Sequence, residues 1–364
     1  MNLTLWANCL QRQLFPALEA EMGPLSDQEQ EFVRVVELVD LSSLMTQYAW
    51  ARIGRKPASR LALAKAYIAK MIWNLSTTEA LVDQLKSAPT LRRLCGWDTR
   101  RQIPNRSTFS RAFHAFAFGK LPQRAHEALI KKYGATRLVG HSSHDATAIE
   151  AREKPLLKTT SSPQPKAKRG RPQRDTPPTP KEPRRLELQP LRTLAGNLAD
   201  LPTACNIGCK RNSQGHQESW IGYKLHLTSV DGDIPVSAIL TSASTHDSQV
   251  AIPLLQMSAP RVPFCLYDLF DSAYDAPEIH QFSRDLGHVP IIDPNRRRSQ
   301  NPRHLDPAEQ RRFAERSTAE RVNSNLKDNY GGRFVRVRGS DKVMCHLMFG
   351  LLALTAHQLL NLLL

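Results

Sequence analysis

Cysteine is scarce in this chain, with six residues in 364 at no regular spacing. That excludes a disulfide framework and suits a reducing cytoplasm. Acids are also few against bases: 34 Asp and Glu face 50 Lys and Arg, giving a net charge of +16 and a pI of about 9.8. A field of that sign favours nucleic acid or an anionic membrane as partner. The opening MNLTLWANCLQRQLF lacks the basic start and continuous apolar run of a signal peptide. One long apolar stretch is present, VMCHLMFGLLALTAHQLLNLLL, uncharged over 22 residues but interrupted by His346, His357, Gln358 and Asn361. It is expected to be a core helix closing the last domain, not a membrane span. With no membrane segment expected, nucleic acid is the leading partner.

The length allows two domains. Residues 1–132 read as all helical: LALAKAYIAKMIWNLSTTEALVDQLKSAPTLRRLCGW has apolar residues at three- and four-residue steps. Ser76 or Thr77 is the expected cap before TEALVDQL, and Ser107 the cap after the Pro104-Asn105 turn. These short helices fit either DNA-binding helix-turn-helix material or a plain bundle. From 135 to 364 the texture becomes α/β. TRLVGHSSHDATAIEA, WIGYKLHLTSV and IPVSAILTSAS read as strands. SQVAIPLLQM reads as a helix, PFCLYDLFD as a strand, APEIHQFSRDLG as a helix and HVPIIDP as a strand. A long helix over about 307–328 completes a mixed sheet with helices.

An insertion of different composition interrupts this pattern over 151–200. Its first part, 151–185, holds eight of the 25 prolines and eleven Lys or Arg against three acids, half of the chain's excess charge. A disordered basic linker is expected there. Within it Arg169-Gly170-Arg171-Pro172 has the arrangement of an AT-hook, which lays arginines along a narrow minor groove; general phosphate affinity is the broader alternative.

FAERSTAERVNSNLK, residues 313–327, holds two glutamates five residues apart. At about 100° per residue, Phe313, Arg316, Glu320 and Lys327 share a stripe about 60° wide, and Glu315 points away. The stripe is either a ladder of i,i+4 ion pairs or part of a site. Two further acids stand out: Asp145 in the first strand, and Asp271 at the end of the strand PFCLYDLFD, where an α/β sheet opens to a crevice. Converged carboxylates repel unless cations share them, and hard oxygen donors suit Mg²⁺ or Mn²⁺. Each acid alone could equally cap a strand or pair with a neighbouring base. Asp247, Asp268 and Asp275 are rival ligands, and Cys205, Cys209 and His216, or His141 and His144, offer a weaker zinc alternative.

Taken in order, these motifs resemble the DDE transposases of bacterial insertion sequences, in the IS-four-like group. Phe313, Arg316, Glu320 and Lys327 match every spacing of that group's Y-x2-R-x3-E-x6-K signature, with Phe in place of Tyr. FDSAYD is similar to its second-aspartate motif and HDATAI to its first; ESWIGYKLHL and TSASTHDSQVAIPLL resemble further segments. The resemblance runs over about 58–360 with one gap at the insertion. It implies a ribonuclease-H-like catalytic core, with Asp145, Asp271 and Glu320 holding two Mg²⁺ (or Mn²⁺) ions and Arg316 and Lys327 gripping phosphates near the scissile bond. It also implies cleavage at the element's ends, joining of the freed 3′ ends to target DNA, a homodimer on DNA, and a bacterial nucleoid-associated location. A catalytically decayed DNA-binding protein and a metal-dependent nuclease are the rival functions.

Overall fold

The computed structural model describes residues 6, 8–50, 52–134, 136–156, 182–211, 214–295 and 304–362. The first half is helical. Asp27–Val39 starts at a capping box in which Ser26 and Glu29 bond each other's backbone N–H groups at 3.4 and 3.0 Å. The alanine-rich Arg60–Ile72 helix is buried along most of its length. Thr78–Ser87 is capped by Thr77, whose Oγ1 accepts from the Ala80 N–H at 3.0 Å. Pro89–Cys95 follows. Arg106–Phe118 is capped by Asn105, not Ser107: Asn105 Oδ1 accepts from the Thr108 N–H at 3.1 Å, and Ser107 sits within the first turn and donates to that same oxygen. Leu121–Gly134 leads into the sheet.

Six strands follow: β1 (Val139–Glu150), β2 (Asn206–Arg211), β3 (Gln217–Val230), β4 (Ile234–Ser242), β5 (Cys265–Phe270) and β6 (Val289–Ile292). β1 is central, antiparallel to β3 on one side and parallel to β5 on the other; β6 extends the parallel edge. β4 pairs with most of β3, and β2 pairs with the first residues of β3. β2 is absent from the sequence expectation; its NIGCKR offers little apolar alternation to announce it.

Helices cover both faces. Ser317–Asn329 and Ser340–Asn361 pack on one, and Ser248–Ser258 and Pro277–Asp285 close a smaller core with Phe270 and Ile292 on the other. Ser340–Asn361 is the long apolar stretch of the sequence, and 83% of its most apolar window is buried inside the protein. It packs on β4 and also on Arg60–Ile72, Arg106–Phe118 and Leu121–Gly134, so the amino-terminal helices and the sheet share one apolar core.

Two expectations are corrected. The stretch 182–200, assigned by composition to the disordered insertion, is folded. It forms helices Arg185–Leu188 and Leu194–Asp200, and the Asn197 amide donates to Gln189 O and Gln256 Oε1, both at 2.9 Å. Leu186 and Leu198 pack against the cores beside Ser248–Ser258. Second, the expected helix over 307–328 is two α-helices, Pro307–Phe313 and Ser317–Asn329, joined by a tighter 3₁₀ turn over Ala314–Arg316. Arg169, Arg171 and most of the basic NRRRSQNPRH loop lie outside the described residues.

Candidate active site

Side chains alternate between the faces of a strand, and this alternation sorts the acids. On β1, Ser143 and Asp145 face the segment 315–323: Ser143 Oγ donates to Glu315 O at 3.3 Å, and Asn323 Nδ2 to Asp145 Oδ2 at 2.9 Å. His144 points to the opposite face, where it stacks on Phe270 with ring centroids 4.1 Å apart. On β5 the same alternation puts Tyr267 beneath the Arg312 guanidinium, 4.1 Å from its ring centre, on the Asp145 face, and Asp268 on the His144 face. Asp271, one residue beyond β5, caps the turn Ser272–Tyr274 by accepting the Ala273 N–H at 2.8 Å.

Arg316 joins the predicted trio. Its guanidinium lies 2.5 Å from Glu320 Oε1 and 3.9 Å from Asp145 Oδ1, and its charge acts on Asp271 as well. Burial, with the charge of Asp271 adding to it, pushes the Asp145 carboxyl up to about 6 against the pull of Arg316 and Asn323. Burial also raises Asp271, helped by Asp247 and Asp293 and opposed by Arg316. Asp145 and Glu320 thus share one guanidinium, and Asp145 and Asp271, 126 positions apart in sequence, lie close enough for the charge of Asp271 to act on Asp145. Phe313 packs beside it, its ring centre 5.8 Å from the Arg316 guanidinium carbon. Lys327 lies seven residues along the helix from Glu320, roughly 10 Å up the same face. It lines a groove with Arg152, Arg333 and Arg336. Glu315 is exposed, and its charge acts on Arg321.

The rival acids have other work. Asp268 is fully buried and accepts from Ser283 Oγ at 2.6 Å, His288 Nδ1 at 2.9 Å and His144 Nε2 at 3.4 Å. Asp275 pairs with His280 at 3.1 Å, and Asp247 with Lys224 at 2.9 Å. Among the described residues, the one trio of His, Cys, Asp or Glu ligand atoms within 4.8 Å of one another is Cys265, Asp268 and His288. That trio is a buried hydrogen-bonded cluster whose thiol is pushed well up by burial, a poor setting for a thiolate ligand. His141 is paired with Asp231 at 3.2 Å, and Cys205 donates to Glu153 O, so neither zinc alternative assembles.

Sequence reading missed Asn323. Its Oδ1 is buried without a hydrogen-bond partner beside Asp145, while its Nδ2 is committed to that carboxylate. Its spacing from Glu320, three residues on the same helix, was the available signal. Two half-buried carboxylates, the first raised in part by the second, a nearby glutamate and an orphaned amide oxygen make an all-oxygen donor set that fits a hard divalent cation.

The model of the family described as Transposase DDE domain matches residues 141–356, and that of the Transposase domain (DUF772) matches residues 21–115. This chain belongs to the DDE transposase family. No curated protein and no solved structure gives a significant match. The first match begins at β1 and takes in the sheet, the acidic cluster and the closing helix; the second covers helices of the amino-terminal half. The transposase is of insertion-sequence type, and membership implies DNA phosphoryl transfer and the use of divalent metal ions.

Proposed function

We propose that the transposase cuts DNA at the ends of its element and joins the freed 3′ ends to target DNA, with Asp145, Asp271 and Glu320 holding two Mg²⁺ or Mn²⁺ ions. The observation that carries this reading is the shared guanidinium: Arg316 contacts both Asp145 and Glu320 and lies within the field of Asp271. Strand order β4–β3–β1–β5–β6, with three antiparallel strands followed by two parallel ones, supports a ribonuclease-H-like core.

The ions supply activation of an attacking oxygen and neutralisation of charge on the leaving one. The chain's own residues do the rest. Asn323 holds the Asp145 carboxylate in one orientation. Arg316 balances the acids and, together with Lys327, takes non-bridging phosphate oxygens. In cleavage, a water oxygen bonds to phosphorus as the bond to the 3′ oxygen of the element breaks. In joining, that 3′ oxygen bonds to a target phosphorus as the target's own bond to its 3′ oxygen breaks. Bonds balance in both steps without a protein nucleophile.

Residues 1–132 are assigned to recognition of the element ends, supported by the exposed Arg106 and Arg111 at the start of their helix. Arg169 and Arg171 add phosphate affinity from the basic insertion. The working unit on DNA is a homodimer, and DNA affinity places it at the nucleoid. The test incubates purified protein with a duplex carrying a labelled 3′ terminus of the element and a target plasmid. Metal-dependent transfer of label into the plasmid is expected; cutting without joining would make the protein a nuclease, and binding alone a decayed copy.

A further inference from the structure

A second basic groove lies away from the acidic cluster, where the amino-terminal helices meet the carboxy-terminal segment. It encloses about 470 Å³ and is lined by Lys70, Arg106, Arg152, Arg336, Arg338 and Lys342, with Glu79 its one acid. Glu79 is already paired with Arg106 at 3.2 Å. Lys70, on Arg60–Ile72, is only 4% exposed, yet its ammonium has no hydrogen bond or ion pair among the described residues. Burying an unpaired ammonium is costly. The neighbouring His346 does not compensate, because its Nε2 is bonded to Gly331 O at 2.9 Å and burial keeps the ring neutral. A group in this position is built to meet an anion from outside.

The groove extends toward the strand and the helix that carry Asp145 and Glu320. A neighbouring cavity of about 490 Å³ shares Arg152 and Arg336 with it and runs on to Lys327 and to Ala148 and Glu150 of β1. Glu150 is five residues along the strand from Asp145, roughly 17 Å, the length of about five base pairs of duplex. Eight cations line the two adjoining cavities, which matches a polyanion better than a free nucleotide or a single phosphate.

We propose that this groove seats the backbone of the DNA flanking the scissile bond, with Lys70 taking one phosphate and Arg152, Arg336 and Lys342 its neighbours. The assignment rests on the transposase reading of the acidic cluster, since it is that cluster which places a scissile phosphate at one end of the track. Helices of both family matches then grip the same DNA, which couples end recognition to cleavage.

The experiment uses the full chain and measures binding of a fluorescent duplex carrying the element's terminal repeat, in Ca²⁺ and across a salt series. An unrelated duplex serves as the second probe. Lys70→Met, Arg336→Ala and Lys342→Ala are compared with wild type, and melting is followed without DNA. Each variant is expected to weaken terminal-repeat binding on the order of tenfold and to lower the log–log salt slope by about 0.9, one phosphate contact. Lys70→Met should melt no lower than wild type, because it removes an unpartnered buried charge; Arg336→Ala, at an exposed position, and Lys342→Ala, at a half-buried one, guard against a folding explanation. Hydroxyl-radical footprints should lose protection in the flanking DNA, about five or more base pairs from the cleavage position. Unchanged affinity and slope in all three variants, with wild type still cutting and joining, would place the DNA elsewhere and leave the acidic cluster standing. Weakened binding by variants of a wild type that never cuts would uphold the groove and sink the strand-transfer reading. Equal weakening on the unrelated duplex still supports the proposal, since backbone contacts carry no sequence information.

Discussion

Glu320→Gln separates a metal-holding glutamate from a solvated one. The side chain is 56% exposed and its partner Arg316 is also reached by Asp145, so the ion pair it gives up is worth about 0.2–1 kcal/mol, at the low end for so exposed a group. Gln has nearly the helix propensity of Glu. The charge lies in the first turn of Ser317–Asn329, where losing a favourable dipole interaction adds about 0.3–0.5 kcal/mol. Total destabilisation therefore stays near or below about 1 kcal/mol, a shift of a few degrees in melting temperature for a chain of this size. Catalysis should fall much further, on the order of 10³-fold, equivalent to about 4 kcal/mol at the transition state. Glu315→Gln, exposed and acting on Arg321, should leave both quantities near wild type. The assay is 3′-end cleavage and joining by both purified variants, with melting curves and DNA binding in Ca²⁺ as controls. Near-normal joining by Glu320→Gln, or a dead Glu315→Gln beside an active Glu320→Gln, would refute the assignment of Glu320.

Joining is expected with Mg²⁺ or Mn²⁺ and to fail in chelator or in Ca²⁺, which binds oxygen donors in looser geometry; activity restored only by Zn²⁺ would point instead to nitrogen and sulfur ligands. Burial lowers the Lys70 ammonium to about 8 from its ordinary 10.5, in a groove whose other facing groups are Glu79, His346, Lys342 and the arginines Arg106, Arg152, Arg336 and Arg338. The unfolded chain then binds more protons than the native one between about pH 8 and 10.5, so this group makes stability rise with pH across that window. Denaturant unfolding without DNA should show a gain of at most about 3 kcal/mol from this source, absent in Lys70→Met; parallel pH profiles for the two proteins would mean that the ammonium is solvated. Gly222→Ala should force apart the end of the β1–β3 ladder, because φ is +154° and a Cβ there would stand 2.1 Å from Ile149 O, across the β1–β3 pairing. Loss of soluble, cooperatively melting protein is the expected readout, and a fully stable variant would show that the strands can separate at this point.

Much of the protein is legible in its sequence because the signals are local. Short runs of apolar and β-branched residues mark β3 and β4, and period-3.6 spacing marks the amino-terminal helices; Thr77 announces a helix start through a hydrogen bond to a residue three positions away. The Arg316–Glu320 pair is equally local, a single i,i+4 step, and so was readable even though an unmarked 3₁₀ turn interrupts the helix just before it. Only the tertiary structure separates the surroundings of the two neighbouring aspartates. Asp268 and Asp271 are three residues apart, and choosing between them depends on which face of β5 meets the 312–323 segment and which meets His144 and His288. The same holds for Asn323, whose amide acquires a role by lying against a strand 178 residues earlier, and for Lys70, an ordinary helix lysine until Ser340–Asn361 packs over it and leaves it facing a groove. Burial, desolvation and the meeting of charges are properties of neighbours in space, and periodicity along the chain carries no record of them.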